Sequence, residues 1–395
     1  MNREDFNMLN NLIYLDNGAT TLKPRLLSEV TSDYYNNYSA NAHRGDYDIS
    51  LKVDNAIDKT RELVKELINA NKKEEIVFTS GATSSLNQIV FGYFNYHLNP
   101  CDEVLITESE HASNVLPWFE LQETKNIVVK SIPLDNNKVT LENIKKVVTN
   151  KTKVISLAYI TNVLGDIRPM KEIIEYAHQN NILVVIDGAQ AVPHIKVDVK
   201  DLDVDFLVFS AHKMCGPTGV GVLYAKESYM ENMYPTVFGG GMNASFSIDG
   251  TRKYSSIPAR FEAGTPNIEG IIGFGYIIEY LNKIGMDNIH KYEVELKDYA
   301  IKRLKEVKDI KIYNENTDSG IIAFNLSDIF AQDLAIYLNK YNICVRAGNH
   351  CAKMVKDIID VNNTVRVSLY FYNNKKDIDS LVDALKNPNI KNEII

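Results

Sequence analysis

Between residues 75 and 224 the chain carries six short runs that are almost continuously apolar, at 75–79, 103–107, 153–158, 182–187, 206–210 and 220–224. A strand wetted on one face alternates apolar and polar residues, so runs that are apolar throughout predict strands covered on both faces. Helix-period segments over 82–97, near 114–124 and over 169–180 supply that cover. The order predicts βα repeats on a mostly parallel sheet.

From about Ile271 the pattern changes to a long helical stretch reaching roughly 307, then to short strands at 320–326, 343–347 and 364–369 separated by helices. That reads as a smaller α+β domain, and 395 residues are enough for two domains. The expected division is an N-terminal segment, 1–22, packing with the small domain, a large domain over 23–270 and a small domain over 271–395. With 43 Lys and Arg against 51 Asp and Glu, the formal charge of −8 disfavours a nucleic-acid binder. No run approaches the ~18 apolar residues of a membrane span, and the polar start lacks an apolar leader, so no membrane partner and a cytoplasmic location are expected.

In an open α/β sheet, ligands bind beyond the carboxyl ends of the strands. The polar residues found there are Gly81-Ala82-Thr83, His111, Asn162, Asp187 with Gln190, and Ser210-Ala211-His212-Lys213. Lys213 leaves a buried strand, where desolvation lowers an amine's pKa and favours a Schiff base with a carbonyl cofactor; a solvated surface lysine is the competing reading. Asp187 could hold a pyridinium nitrogen protonated or simply cap the next helix. Ser80-Gly81-Ala82-Thr83, opening a helix, offers a phosphate site. A nucleotide loop is disfavoured, because Gly216-Pro217-Thr218-Gly219-Val220-Gly221 has the wrong glycine spacing and precedes a strand.

Near the other end, Arg346-Ala347-Gly348-Asn349-His350-Cys351 sets a cysteine beside cationic and imidazole groups, the setting of a reactive thiol. Cys344, His350 and Cys351 lack a usefully spaced fourth ligand, so no metal is expected. Arg366 interrupts an apolar strand and needs an anion, either a substrate carboxylate or a structural partner.

Taken together, Tyr14-Leu15-Asp16-Asn17-Gly18-Ala19-Thr20-Thr21, Ala42-His43-Arg44-Gly45, Glu110-His111-Ala112-Ser113-Asn114, Asn162-Val163-Leu164-Gly165, Asp187-Gly188-Ala189-Gln190, Ser210-Ala211-His212-Lys213, Arg260-Phe261-Glu262-Ala263-Gly264-Thr265-Pro266-Asn267 and Arg346-Ala347-Gly348-Asn349-His350-Cys351-Ala352 resemble, in order, the class V aminotransferase-like family of fold-type I pyridoxal-phosphate enzymes. The narrower resemblance is to SufS-type cysteine desulfurases. It implies a mostly parallel seven-stranded sheet flanked by helices, a smaller α+β C-terminal domain, and pyridoxal 5'-phosphate as cofactor. Lys213 would carry the cofactor, Asp187 pair with its ring nitrogen, Gln190 meet its phenolic oxygen and His111 stack on its ring. Thr83, Ser210 and His212 would hold the phosphate, joined by Thr265 from the other subunit of a homodimer. Asn162, Arg346 and Arg366 would bind L-cysteine, and Cys351 would take its sulfur as a persulfide for an acceptor protein of the SufE or SufU kind, with iron–sulfur cluster or other sulfur-cofactor assembly as the destination.

Asn349, the Ala352-Lys353-Met354-Val355 segment and Gln332 depart from the usual pattern near the expected acceptor surface. A selenocysteine lyase would use nearly the same constellation. An aminotransferase would not need Cys351, and a catalytically idle scaffold would not need Lys213, Asp187, His111 and Cys351 together.

Overall fold

The computed structural model describes residues 3–42 and 45–393. His43 and Arg44, part of one motif above, lie outside the described residues. Seven strands form the large sheet: β1 (Ile76–Thr79), β2 (Glu103–Ile106), β3 (Val128–Ser131), β4 (Thr152–Ala158), β5 (Leu183–Asp187), β6 (Phe206–Ser210) and β7 (Gly221–Ala225). They run in the order β1-β7-β6-β5-β4-β2-β3. The β1–β7 and β7–β6 pairs are antiparallel and the others parallel. Six of the seven are the apolar runs of the sequence. The other, β3, is a partly exposed edge strand reading Val-Val-Lys-Ser, so it lacks their signature.

Covering on both faces explains the continuous apolarity. In β6 all five residues are buried; Phe206 and Val208 face one hydrophobic core, while Leu207 and Phe209 face another. The second of these cores includes helices Asp48–Leu67 and Ile268–Ile284, which pack on each other. The stretch expected to be helical as far as 307 is two helices. At Gly285 the backbone takes φ +87°, its N–H bonds the Leu281 carbonyl at 2.8 Å, and the chain turns into Met286–Leu304. A glycine in this conformation closes a helix at no steric cost.

The small domain carries a four-stranded antiparallel sheet of β8 (Ile310–Ile312), β9 (Ile321–Leu326), β10 (Arg346–Gly348) and β11 (Thr364–Ser368), in the order β8-β9-β11-β10. Side chains alternate along a strand. Val365 and Val367 of β11 therefore enter the small-domain core. Thr364, Arg366 and Ser368 take the other face, where they bond His350 of the same domain, Asn162 of the large domain and Gly18 of the N-terminal segment respectively.

The N-terminal segment lies across both parts. Ile13–Tyr14 pairs in parallel with Ile343–Cys344, and Asp16 bridges to Ser368. A few residues on, the Thr21 N–H donates to the His212 carbonyl at 3.0 Å. The small-domain sheet is thereby tied to the turn after β6.

Candidate active site

The carboxyl ends of β5 and β6 supply the floor of a cavity of about 180 Å³. Thr83, His111, Asn162, Asp187, Ser210, His212, Lys213, Arg346 and Arg366, nine of the residues expected from sequence, line it together with His350. Lys213 is held in the short turn Ala211–Lys213 that follows β6. Its amine is brought down to about 8, chiefly by burial, with Arg366 and Arg346 adding to the effect and Asp187 opposing it. Asp187, at the end of β5, accepts the Ala189 N–H at 2.9 Å. Burial pushes its carboxyl up, and the Lys213 charge works against that.

Two histidines on this floor are held neutral. His111 falls to about 4 through burial and the nearby charges of Lys213, Arg346 and Arg366. Its Nδ1 accepts the Ser113 N–H at 3.1 Å, which leaves the ring proton on Nε2. Burial, then Lys213 and Lys23, bring His212 to about 4 as well. Beside them the helix Ala82–Ile89 begins, with the Ala82 N–H donating to Ser210 Oγ at 2.8 Å and Thr83 Oγ1 bonded to Ser113 Oγ at 2.7 Å. Gly221 of β7 lets this start approach the sheet, since a Cβ there would stand 2.4 Å from the Gly81 Cα.

The opposite wall comes from the small domain. Arg366 is fully buried, with Nη2 on Asp16 Oδ1 and Nη1 on the Asn162 carbonyl, both at 2.9 Å. Both sequence readings of this arginine are thus represented: it has a structural anion and it still borders the cavity. Cys351 is exposed, and Arg346 Nη2 lies 3.6 Å from its sulfur. Its loop is pinned at three points. The Ala112 N–H donates to the Cys351 carbonyl at 2.7 Å, Asn162 Nδ2 donates to the His350 carbonyl at 2.7 Å, and His350 Nε2 meets Thr364 Oγ1 at 2.9 Å. Both His350 and Cys351 have left-handed backbones, φ +52° and +58°. Such conformations in non-glycine residues persist only where surrounding contacts enforce them.

Besides Cys351, which stands beside the cavity and not in its lining, two expected residues lie apart. Gln190 is buried but outside the lining; its Nε2 donates to the Gly18 carbonyl at 2.8 Å and its Oε1 has no partner. Thr265 borders a different cavity, of about 330 Å³, with Ser80, Thr236 and Asn267.

Sequence reasoning saw His350 only as an imidazole beside Cys351 and a discounted metal ligand, and it assigned no role to the buried pair Glu110 and Arg168. Glu110 and Arg168 form a fully buried ion pair. Arg168 Nη2 also donates to Thr107 Oγ1 and Ser109 Oγ, each at 2.8 Å, and Glu110 Oε2 accepts from Asn114 Nδ2 and the Ala158 N–H, each at 2.8 Å. The one available signal was Glu110 standing directly before His111.

Four buried polar atoms at or beside the cavity lack a partner: Asn162 Oδ1, Gln190 Oε1, His350 Nδ1 and Arg366 Nε. Buried polar atoms are ordinarily satisfied, so this set suits a polar ligand. A desolvated amine, a strand-end acid opposite it and a hydroxyl-rich helix start fit the aldehyde, ring nitrogen and phosphate of pyridoxal 5'-phosphate. Among the described residues no cluster of three or more His, Cys, Asp or Glu is placed to hold a metal ion.

The sheet, the lysine at its carboxyl edge and the capping small domain together define the fold-type I pyridoxal-phosphate class. Within it, the chain belongs to the aminotransferase class-V family, whose profile matches residues 13–381. It is similar to a probable cysteine desulfurase of Halalkalibacterium halodurans, 40% identical over 380 residues, covering 95% of this chain and 92% of that protein. A probable cysteine desulfurase of Staphylococcus aureus is 42% identical over 382 residues, covering 95% and 91%. Among solved structures, the cysteine desulfurase CsdA of Escherichia coli superposes with a TM-score of 0.93 at 32% identity, over 100% of this chain and 98% of that one. A cysteine desulfurase of Thermococcus onnurineus gives 0.93 at 34%, covering 97% and 96%.

Proposed function

We propose that the chain is a pyridoxal-phosphate-dependent cysteine desulfurase that converts L-cysteine to L-alanine and takes the sulfur on Cys351. The observation that carries this reading is the desolvated Lys213 amine at the floor of one cavity with the exposed Cys351 thiol just beyond its lining, 3.6 Å from the cavity residue Arg346. An aminotransferase needs the first group and not the second.

Pyridoxal phosphate, bound at the floor, supplies an electron sink for the Cα–H bond of the amino acid. Thr83, Ser210 and His212 would hold its phosphate, Asp187 would keep its ring nitrogen protonated, and neutral His111 would pack against its ring. Arg366, with Asn162 and Arg346, binds the substrate carboxylate and so fixes which Cα bond faces Lys213. Lys213 Nζ, brought down to about 8, takes the Cα proton near neutral pH. Cys351 thiolate then attacks the substrate Sγ. An S–S bond forms as the Cβ–Sγ bond breaks, the electron pair stays with the carbon skeleton, and that skeleton leaves as alanine after protonation. The sum, cysteine plus a thiol giving alanine plus a persulfide, needs no external oxidant or reductant.

A persulfide at an exposed loop suits transfer to an acceptor protein of the SufE or SufU kind, and from there to iron–sulfur cluster or other sulfur-cofactor assembly. Thr265, outside the Lys213 cavity of its own chain, suits a phosphate contact across a homodimer. No helix among the described residues is long and apolar enough to cross a membrane, and an enzyme of this kind working in the cytoplasm agrees with the reducing conditions a free thiol needs.

A single-turnover assay with L-cysteine tests the reading. Wild type should give one alanine and one persulfide per site, and Cys351→Ala should give neither while still binding the cofactor and cysteine. Full alanine yield from Cys351→Ala would refute a sulfur-accepting role for this residue.

A further inference from the structure

We propose that Asp16 is a positioning residue for substrate recognition: it orients the Arg366 guanidinium so that the fork presented to the cavity fits the α-carboxylate of cysteine. The inference rests on the reading above that Arg366 binds that carboxylate. It adds a residue from the opposite end of the chain that acts through the arginine.

Arg366 enters from β11 and is anchored by two other parts of the chain. Asn162, of the large domain, takes Nη1 with its carbonyl, and Asp16, of the N-terminal segment, takes Nη2 with Oδ1. A guanidinium has five N–H donors in a rigid plane. With one donor on each Nη committed, the buried Nε–H and the second hydrogens of Nη1 and Nη2 remain, and Nε has no partner. Those remaining donors are what a carboxylate can use.

Asp16 approaches from outside, because Arg366 lines the cavity and Asp16 does not. It braces the arginine without filling the substrate's place. Its own position is set by backbone: the Leu15 N–H donates to the Cys344 carbonyl at 2.9 Å and the Ser368 N–H donates to the Leu15 carbonyl at 2.7 Å. Gly18 completes the brace. A Cβ there would stand 3.0 Å from Arg366 Cζ, so the guanidinium rests against bare backbone and any side chain would displace it. Losing Asp16 would leave the arginine buried with one anchor, free to rotate about its side chain and present its donors at the wrong angle.

The test compares L-cysteine with cysteamine, which has the same amine and thiol and no carboxylate. Holoenzyme of wild type, Asp16→Asn, Gly18→Ala and Arg366→Gln is titrated with each compound by cofactor absorbance. Losing a charged hydrogen-bond brace predicts cysteine binding weaker by about 10- to 100-fold in Asp16→Asn. Gly18→Ala, which alters no charge, should act in the same direction and stands in if Asp16→Asn does not fold. Cysteamine binding should change less than about twofold in both. Cysteine affinity unchanged or tightened by Asp16→Asn, with Arg366→Gln weakening it, would overturn the role of Asp16 and leave that of Arg366 standing. Parallel loss for cysteine and cysteamine would make Asp16 merely structural. Unchanged cysteine affinity in Arg366→Gln would remove the parent reading and this one with it.

Discussion

Lys213 lines the cavity and Cys351 stands just outside it, next to the lining residue His350, and the two differ in nearly every physical respect. The lysine follows a strand covered on both faces, is buried beside an acid, and has its amine brought down to about 8. The cysteine sits on a loop of the small domain, exposed, with a left-handed backbone and the Arg346 guanidinium 3.6 Å from its sulfur. A group that moves protons within a site gains from a rigid, desolvated floor. A group that hands sulfur to another molecule must be reachable. On the proposed function, these two tasks fall to Lys213 on the sheet and to Cys351 on a loop pinned to it.

Substitutions at the two ends should therefore fail differently. The largest effect belongs to the floor: Lys213→Ala should lower alanine release by about 10⁴-fold. Turnover within tenfold of wild type would mean that another group takes the proton. Next comes the support beneath the floor. Glu110→Gln strands the buried Arg168 charge and should reduce unfolding free energy by about 3–5 kcal/mol, whereas Glu108→Gln, two residues earlier and partly exposed, should stay within about 0.5 kcal/mol. Denaturant unfolding of the two variants decides this.

A third contrast uses the cofactor-free protein. A protonated amine is not nucleophilic, so capture of added pyridoxal phosphate should slow as pH falls through about 8 and level off above it, well under lysine's ordinary 10.5. Stopped-flow absorbance measures that midpoint, and a value near 10 would mean that the floor is not desolvated. The smallest effect is at the rim. Cys351→Ala should leave stability within about 0.5 kcal/mol, while Cys215→Ser, which puts a hydroxyl into a fully buried site, should cost about 1–3 kcal/mol. Equal losses at the two cysteines would contradict the division between rim and core.

What could be read from the sequence followed the same division. β6 and β5 were legible because both faces are buried, and the polar residues at their ends, Asp187, Ser210, His212 and Lys213, became visible against apolar runs. β3 and β8 were not, one being a wetted edge and the other three residues long. Arg366 stood out as a charge in an apolar strand. Its partner Asp16 did not, because an acid in a polar segment 350 residues away looks like a solvated one until the chain is folded. The Glu110–Arg168 pair was hidden for the same reason. The parts assigned to Gln190 and Thr265 came from resemblance alone, and in the single chain both lie outside the Lys213 cavity.

The central claim is that chemistry begun at the floor delivers sulfur to the rim. Its most direct test is to react the holoenzyme with one equivalent of ³⁵S-labelled L-cysteine without reductant and to locate the label by peptide mass spectrometry. The account predicts label on Cys351 and none on Cys101, Cys215 or Cys344. Label on one of those three, or sulfide released with every cysteine unmodified, would contradict it.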